Sequence, residues 1–181
     1  LIGSANASRA VWDIMKGQNF GRILMTTSTS GVYGNFGQSN YGAAKMALVG
    51  LMQTLALEGV KRNIRVNCLA PSAATGMTDG VLPPDALARL TPEQVSPALI
   101  PLVCEDAPSR TILLAGAGSF EAAHITMTRG IHIADQAGMA EQLHRRLTKV
   151  QNRIGERVPE SGWEQYQHEL SKGQFAVESV V

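Results

Sequence analysis

The sequence predicts an α/β fold built on a doubly wound parallel sheet, and two features support this. Short runs at 23–25 and 111–115 are apolar, and the run at 63–70 alternates and is rich in β-branched residues. Each is followed by Gly, Pro, Thr or Ser, as expected for strands. Longer helical patterns lie between them, and strands that alternate with helices are typical of a parallel sheet with crossover helices.

The first half of the chain contains the clearest elements. Residues 1–16 are amphipathic with apolar residues at helical spacing, which predicts a helix. The strand at 23–25 is followed by a loop rich in Gly and Asn. A second helix is predicted from Ser39 to about Gly59, with Ser39 or Asn40 as its cap. Because it is apolar over most of its circumference, we expect it to be buried on more than one side.

The second half is predicted in the same way. The strand at 63–70 should stop at Pro71, and a short helix is expected over 82–90. A further helix, kinked by its prolines, is predicted over 91–105, with Thr91 as cap and Pro92 at its first position. After the strand at 111–115, a hairpin over 125–133 turning at Arg129 and Gly130 is expected, and then helices over 139–154 and 163–170.

Three side chains in this frame could converge at one end of the sheet. Tyr41 and Lys45 stand four residues apart and therefore project from one face of the helix, and Ser28 ends the preceding strand. A phenol is a poor proton carrier at neutral pH, but a nearby cation stabilises its phenolate. The serine hydroxyl can hold a substrate oxygen. Carbonyl–alcohol redox chemistry also needs a bound cofactor as hydride donor or acceptor.

These residues resemble the short-chain dehydrogenase/reductase family. The matching motifs are Ser28, the YGAAK run that ends in Lys45, and the NCLAP run that ends in Pro71. The run SGVYGNFGQSNYGAAK is most similar to the (3R)-hydroxyacyl-CoA dehydrogenase domains of peroxisomal multifunctional enzymes and their bacterial relatives. The resemblance covers roughly residues 1–135. It implies that Tyr41 exchanges the proton, that Lys45 lowers the phenol pKa and holds the cofactor ribose, and that Ser28 fixes the substrate oxygen.

The resemblance also implies a dinucleotide cofactor, NAD with NADP not excluded. In such a Rossmann fold, Ala73, Ala74, Thr75 and Gly76 pass the nicotinamide end, and the segment from Leu82 is a substrate lid. The N-terminal βαβ units with the glycine-rich phosphate turn are absent from this sequence, so it is expected to be the C-terminal part of the fold. Residues 1–135 are assigned to this reductase domain and 136–181 to a helical extension.

Composition excludes several other classes. The 181 residues are 44% hydrophobic and 17% charged with a formal net charge of +1, so no nucleic-acid partner is expected. No apolar run approaches the ~20 residues that span a bilayer, so no membrane partner is expected either. Cys68 and Cys104 are expected to be reduced thiols, and the four histidines lack metal-ligand spacing. With no signal peptide visible, a cytoplasmic location is expected.

The sequence therefore predicts a short-chain NAD(P)-dependent enzyme that interconverts 3-hydroxyacyl and 3-oxoacyl thioesters. One alternative is a 3-oxoacyl carrier-protein or steroid-type reductase. Another is a fragment that only folds or oligomerises, for which a titration with NADH should show no heat of binding. The resemblance further implies a homodimer or homotetramer formed through the helix at 39–59.

Overall fold

The structure, a computed structural model, describes residues 1–76 and 83–178, and for 174–178 it describes the backbone alone. The chain divides into two compact units, Leu1–Ala123 and a second that begins at His124. This division falls before the boundary predicted at residue 135. The expectation placed on Leu82, as the start of a helix and lid, lies outside the described residues.

The first unit contains a four-stranded sheet in the order β1-β2-β3-β4. The strands are β1 (Gly21–Thr26), β2 (Ile64–Ser72), β3 (Ile112–Gly116) and β4 (Ser119–Ala123). β1, β2 and β3 pair in parallel, and β4 pairs antiparallel with β3. The α/β class and the parallel sheet predicted from the sequence are thus confirmed.

Helices cover both faces of this sheet. α1 (Ile2–Gln18) and α3 (Ser39–Gly59) pack on one face, where Met25, Met52 and Val66 are part of the buried core. On the other face, the 3-10 turns Pro92–Gln94 and Ser96–Leu99 and helix α5 (Ile100–Val103) form a second cluster around Leu69 and Leu102. Since side chains alternate along a strand, each parallel strand supplies apolar residues to both clusters.

β2 passes through Pro71, so the expectation that this proline stops the strand is wrong. The pairing of β2 with β3 includes Pro71 opposite Ala115 and Ser72 opposite Gly116. The carbonyl of Leu69 accepts from the N–H of Thr27, on the β1 side of the strand. Two residues later, Pro71 lacks its N–H on that same side, where β1 has already ended at Thr26. No ladder hydrogen bond is therefore lost.

The hairpin of this chain lies at 112–123 and not at 125–133 as predicted. β3 and β4 are joined by Ala117 and Gly118, with φ values of 50° and 74°. Two adjacent positive φ values define the type I′ turn, whose twist matches that of paired strands. In the segment predicted as a hairpin, Met127 forms an isolated bridge with Arg157.

Prolines divide the helix that was predicted over 91–105. Thr91 lies at the N-cap as expected, without a side-chain capping bond, and the chain then forms the two 3-10 turns and the four-residue α5. Pro97 and Pro101 are each the second residue of a new short turn, because a proline lacks the N–H that would continue an α-helix. The preceding helix, α4 (Pro84–Arg89), has Pro84 in its first turn, as expected.

The second unit is helical, and an ion pair and an aromatic pair connect its residues. It contains α6 (Met139–Arg145), α7 (Leu147–Val150) and α8 (Trp163–Glu178), so the helix predicted over 139–154 is broken at Arg146. Arg157 forms an ion pair with Glu164 in the first turn of α8. The rings of Trp163 and Tyr166 meet edge to face, 5.8 Å apart.

The expectation that no apolar segment is long enough to span a bilayer needs correction. By length and composition, Ser39–Arg62 is long and apolar enough to cross a membrane, with a mean hydropathy of 1.2 over 18 residues. The core helix of a soluble protein passes the same test, and Leu48, Val49 and Met52 of α3 are buried against the sheet. The test therefore gives only weak evidence for a membrane span.

Candidate active site at the end of β1

The start of α3 presents Tyr41 and Lys45 on one side of the helix. The Nζ atom of Lys45 lies 5.6 Å from the centroid of the Tyr41 ring. The same Nζ donates a hydrogen bond of 2.9 Å to the backbone carbonyl of Thr26, the last residue of β1. Tyr41 is 36% exposed, so a small molecule can reach it. The structure thus brings a cation and an accessible phenol together beside the end of β1.

The cap of α3 differs from the prediction. Gln38 occupies the N-cap position and makes no side-chain capping bond, whereas Ser39 is already the first helical residue. Asn40 accepts the backbone N–H of Tyr41 at 2.8 Å through its Oδ1 atom. The side chain of Asn40 therefore satisfies one of the unpaired N–H groups of the first turn, although the residue lies inside the helix.

Ser28 lies two residues beyond β1, at the N-cap of the short helix α2 (Thr29–Val32), an element that the sequence analysis took as loop. Its Oγ atom accepts the backbone N–H of Ser30 at 3.2 Å. A hydroxyl has one proton to donate and two lone pairs. The capping bond uses a lone pair, so the proton of Ser28 can still be donated to a substrate oxygen.

Two glycines let α2 approach the helix that carries Tyr41 and Lys45. A Cβ atom at Gly31 would lie 2.7 Å from the backbone N of Met46 and 2.8 Å from the Cβ of Lys45. A Cβ atom at Gly42 would lie 2.9 Å from the carbonyl oxygen of Ser30. Larger residues at Gly31 or Gly42 would hold α2 away from α3. The segment of Ser28 is thereby packed directly against the first turns of α3.

The predicted cofactor segment follows the neighbouring strand. Thr26 of β1 pairs with Leu69 of β2, so both strands end at the same edge of the sheet. Ala73 packs against the second core cluster, and the N–H of Ala74 donates to the carbonyl of Leu90 at 2.6 Å. Thr75 and Gly76 are exposed, and a Cβ at Gly76 would meet nothing within 4 Å. Open α/β sheets bind ligands at such an edge.

The residues at this edge fit the nicotinamide-ribose end of a dinucleotide. Lys45 has three ammonium protons and donates one to the carbonyl of Thr26, which leaves two donors for ribose hydroxyls. Ala73, Ala74 and Gly76 have small or absent side chains and would let a flat ring approach the backbone. Gly34 and Gly37, in the loop before α3, have φ values of 80° and 75°, so they serve as turn residues.

The side chains described by the structure, those of residues 1–76 and 83–173, include no group of three or more His, Cys, Asp or Glu that could hold a metal ion. Cys68 and Cys104 are free thiols, as expected. Burial raises the pKa of the Cys68 thiol to about 12, which makes it inert near neutral pH.

Sequence analysis did not single out Thr27, which the structure buries between β1 and α3. Its Oγ1 atom donates to the backbone carbonyl of Lys45 at 2.8 Å. The roles of Gly31 and Gly42 were also not predicted from the sequence. The sequence signal for the two glycines was weak, because loop glycines are common. The contact of Thr27 joins residues eighteen positions apart, so no local pattern indicates it.

Comparison with known proteins relates the chain to dehydrogenases and reductases. The family model described as short chain dehydrogenase matches residues 1–84. A short-chain type dehydrogenase/reductase of Mycobacterium tuberculosis is 50% identical over 122 residues, which cover 67% of this chain and 43% of that protein. An acetoacetyl-CoA reductase of Allochromatium vinosum is 43% identical over 74 residues, 40% of this chain and 30% of that protein.

A solved structure extends the likeness to most of the chain. The full-length peroxisomal multifunctional enzyme type 2 of Drosophila melanogaster superposes with a TM-score of 0.81 at 32% identity, over 94% of this chain and 32% of that chain. The present chain thus spans less than half the length of each of these relatives. Together, the family-model match and the shared fold show that the chain belongs to the short-chain dehydrogenase/reductase family, of whose domain it covers a part.

Proposed function

We propose that this chain carries the catalytic residues of an NAD(P)-dependent oxidoreductase that interconverts 3-hydroxyacyl and 3-oxoacyl thioesters. The observation that carries the proposal is the Lys45 ammonium, 5.6 Å from the Tyr41 ring centroid and bonded to the end of β1. The thioester substrate is supported by the resemblance of residues 30–45 to hydroxyacyl-CoA dehydrogenases and by the acetoacetyl-CoA reductase among the relatives.

The roles of the three side chains follow from their chemistry. Ser28 donates its free proton to the substrate oxygen and holds it beside Tyr41. In the oxidative direction the Tyr41 oxygen removes the hydroxyl proton, and in the reductive direction it returns a proton to the carbonyl oxygen. Lys45 stabilises the negative charge that the Tyr41 oxygen carries between these steps. When bound, the nicotinamide ring accepts or supplies the hydride at its C4 atom.

The dinucleotide contacts belong to the same proposal. Lys45 and Tyr41 would hold the nicotinamide ribose, and residues 73–76 would line the nicotinamide (Ala73, Ala74, Thr75, Gly76). NAD is the proposed dinucleotide, and NADP is the alternative. Turnover measured separately with each of the two decides between them.

Replacing the phenol tests the proposed chemistry directly. In the intact enzyme, Tyr41→Phe should lower turnover of a 3-hydroxyacyl-CoA at least ~100-fold, because general acid–base help is of that size. Tyr33→Phe is the matched control, since Tyr33 is 68% exposed and has no place in the mechanism. Near-normal turnover by Tyr41→Phe would refute the assignment.

A reductase for carrier-protein thioesters or steroids is the competing assignment within the same chemistry. The two are separated by comparing kcat/KM for the same acyl group on coenzyme A and on an acyl carrier protein, with a ketosteroid as third substrate. A preference for the carrier protein or the steroid would overturn the proposed substrate and leave the roles of Ser28, Tyr41 and Lys45 in place.

Assembly and location complete the proposal. α3 leaves Ala43, Met46 and Leu57 exposed on the described surface, and a second copy of the enzyme would cover this apolar side in a homodimer or homotetramer. Sedimentation equilibrium of the intact enzyme measures this. A cytoplasmic location, with neither a membrane nor a nucleic acid as partner, remains part of the proposal, and cell fractionation tests the location.

A further inference from the structure

Thr27 is a polar side chain with only 1% of its surface exposed, at the junction of three elements. Its backbone N–H donates to the carbonyl of Leu69 in β2 at 2.8 Å. Its hydroxyl donates to the carbonyl of Lys45 in α3, also at 2.8 Å. Thr27 therefore joins the end of the sheet to the helix turn from which the Lys45 side chain projects.

This bond is one of a reciprocal pair. The ammonium of Lys45 donates to the carbonyl of Thr26, while the hydroxyl of Thr27 donates to the carbonyl of Lys45. One bond holds the tip of the lysine side chain and the other holds its backbone. Both are anchored on adjacent residues, Thr26 at the end of β1 and Thr27 directly after it. Together the two bonds fix the position of Lys45 relative to the end of β1.

The hydroxyl of Thr27 is not needed to satisfy the carbonyl of Lys45. Residue 45 lies inside α3, where a carbonyl accepts the N–H of the residue four positions later. The bond from Thr27 uses the second lone pair of the Lys45 carbonyl oxygen. Removing the hydroxyl leaves that carbonyl paired within the helix. We therefore expect only a small loss of folding stability, whereas α3 loses a contact that holds it against the strand end.

We propose that Thr27 is a positioning residue that sets the location of Lys45, and through it the charge beside Tyr41. The inference rests on the proposed function, because it assigns Thr27 a part in the same reaction. Thr27 does not contact the reacting atoms and acts through Lys45. A displacement of a catalytic group by ~1 Å can cost up to ~100-fold in rate, so a side chain that fixes this position has a measurable effect.

The test compares Thr27→Val, which keeps the β-branched shape, with Thr27→Ser, which keeps the hydroxyl. In the intact enzyme, Thr27→Val should lower kcat about 10-fold or more and raise the KM for the dinucleotide, with little change in the KM for the thioester. Thr27→Ser should stay within about threefold of the wild type. Thr128→Val is the control, because it removes a similar bond, from a threonine hydroxyl to the carbonyl of Val150.

Each outcome decides the proposal. A folded Thr27→Val enzyme with wild-type kcat would overturn it, and so would a Thr27→Ser enzyme as impaired as Thr27→Val, since packing of the methyl group would then explain the loss. If Thr27→Val fails to fold, as shown by its thermal midpoint, Thr27→Ala against Thr27→Ser gives the same comparison.

Tyr41→Phe and Lys45→Met, measured in the same assay, separate this inference from the proposed function. If both retain wild-type turnover, the proposed function fails. If both lose turnover while Thr27→Val does not, only the role of Thr27 fails. Should the wild type turn over none of the thioesters, the proposed substrate fails, and the dissociation constant for NADH, weakened in Thr27→Val and kept in Thr27→Ser, decides the positioning role.

Discussion

Replacing Gly31 by alanine tests the packing that brings Ser28 to α3. The added Cβ would lie 2.7 Å from the backbone N of Met46, 2.8 Å from the Cβ of Lys45 and 2.9 Å from its carbonyl carbon. Ordinary contacts begin near 3.4 Å, so α2 and α3 would have to separate by several tenths of an ångström. Two of these three atoms belong to the backbone of a helix, which cannot rotate away as a side-chain tip can.

The expected cost follows from this geometry. Overpacking of this kind destabilises by about 1–3 kcal/mol. For a unit of this size, ~4 °C of thermal midpoint per kcal/mol gives a fall of about 4–12 °C. Because Ser28 caps the same four-residue helix, turnover in the intact enzyme should fall as well.

Urea denaturation and thermal denaturation of Gly31→Ala measure the loss. Gly17→Ala is the matched control, because a Cβ there would meet nothing within 4 Å and alanine favours the helix that contains it, α1, by up to ~1 kcal/mol. If Gly31→Ala were as stable and active as the wild type, α2 could not be packed on α3 as described.

Two further predictions concern buried polar groups of the sheet. Asn67→Ala should lower the free energy of unfolding by at least ~3 kcal/mol in urea, because Asn67 donates to the carbonyls of Leu102 and Pro108 and accepts from Thr111. An unchanged urea midpoint would contradict those bonds. Stability should also fall as pH rises from about 9 towards about 12, since the folded pKa of Cys68 is raised above its ordinary value of 9.0 and only the unfolded thiol ionises in that window. Cys68→Ala should show a smaller decline in urea titrations at pH 8 and pH 11, and an identical decline would refute the contribution of Cys68.

Local sequence rules predicted the well-formed elements. β1, α1 and α3 lie where apolar runs and helical spacing placed them, because their patterns are long or sharply bounded. The same rules failed where pairing decides the outcome. Pro71 was taken as a strand end, but its fit depends on β1 having stopped beside it. The β3–β4 hairpin turns at Ala117 and Gly118, whereas the sequence predicted a turn at Arg129 and Gly130.

The candidate site divides in the same way. The sequence by itself determined that Tyr41 and Lys45 share a helix face, since four residues make about one turn, and that Ser28 follows a strand. Only the tertiary structure decided that α2 packs on α3 through Gly31 and Gly42, and that Thr27 holds the carbonyl of Lys45. Those contacts join residues twelve to eighteen positions apart. Helical periodicity reports only on neighbours within a turn or two, whereas close backbone approach and a buried hydroxyl depend on how separate elements come together.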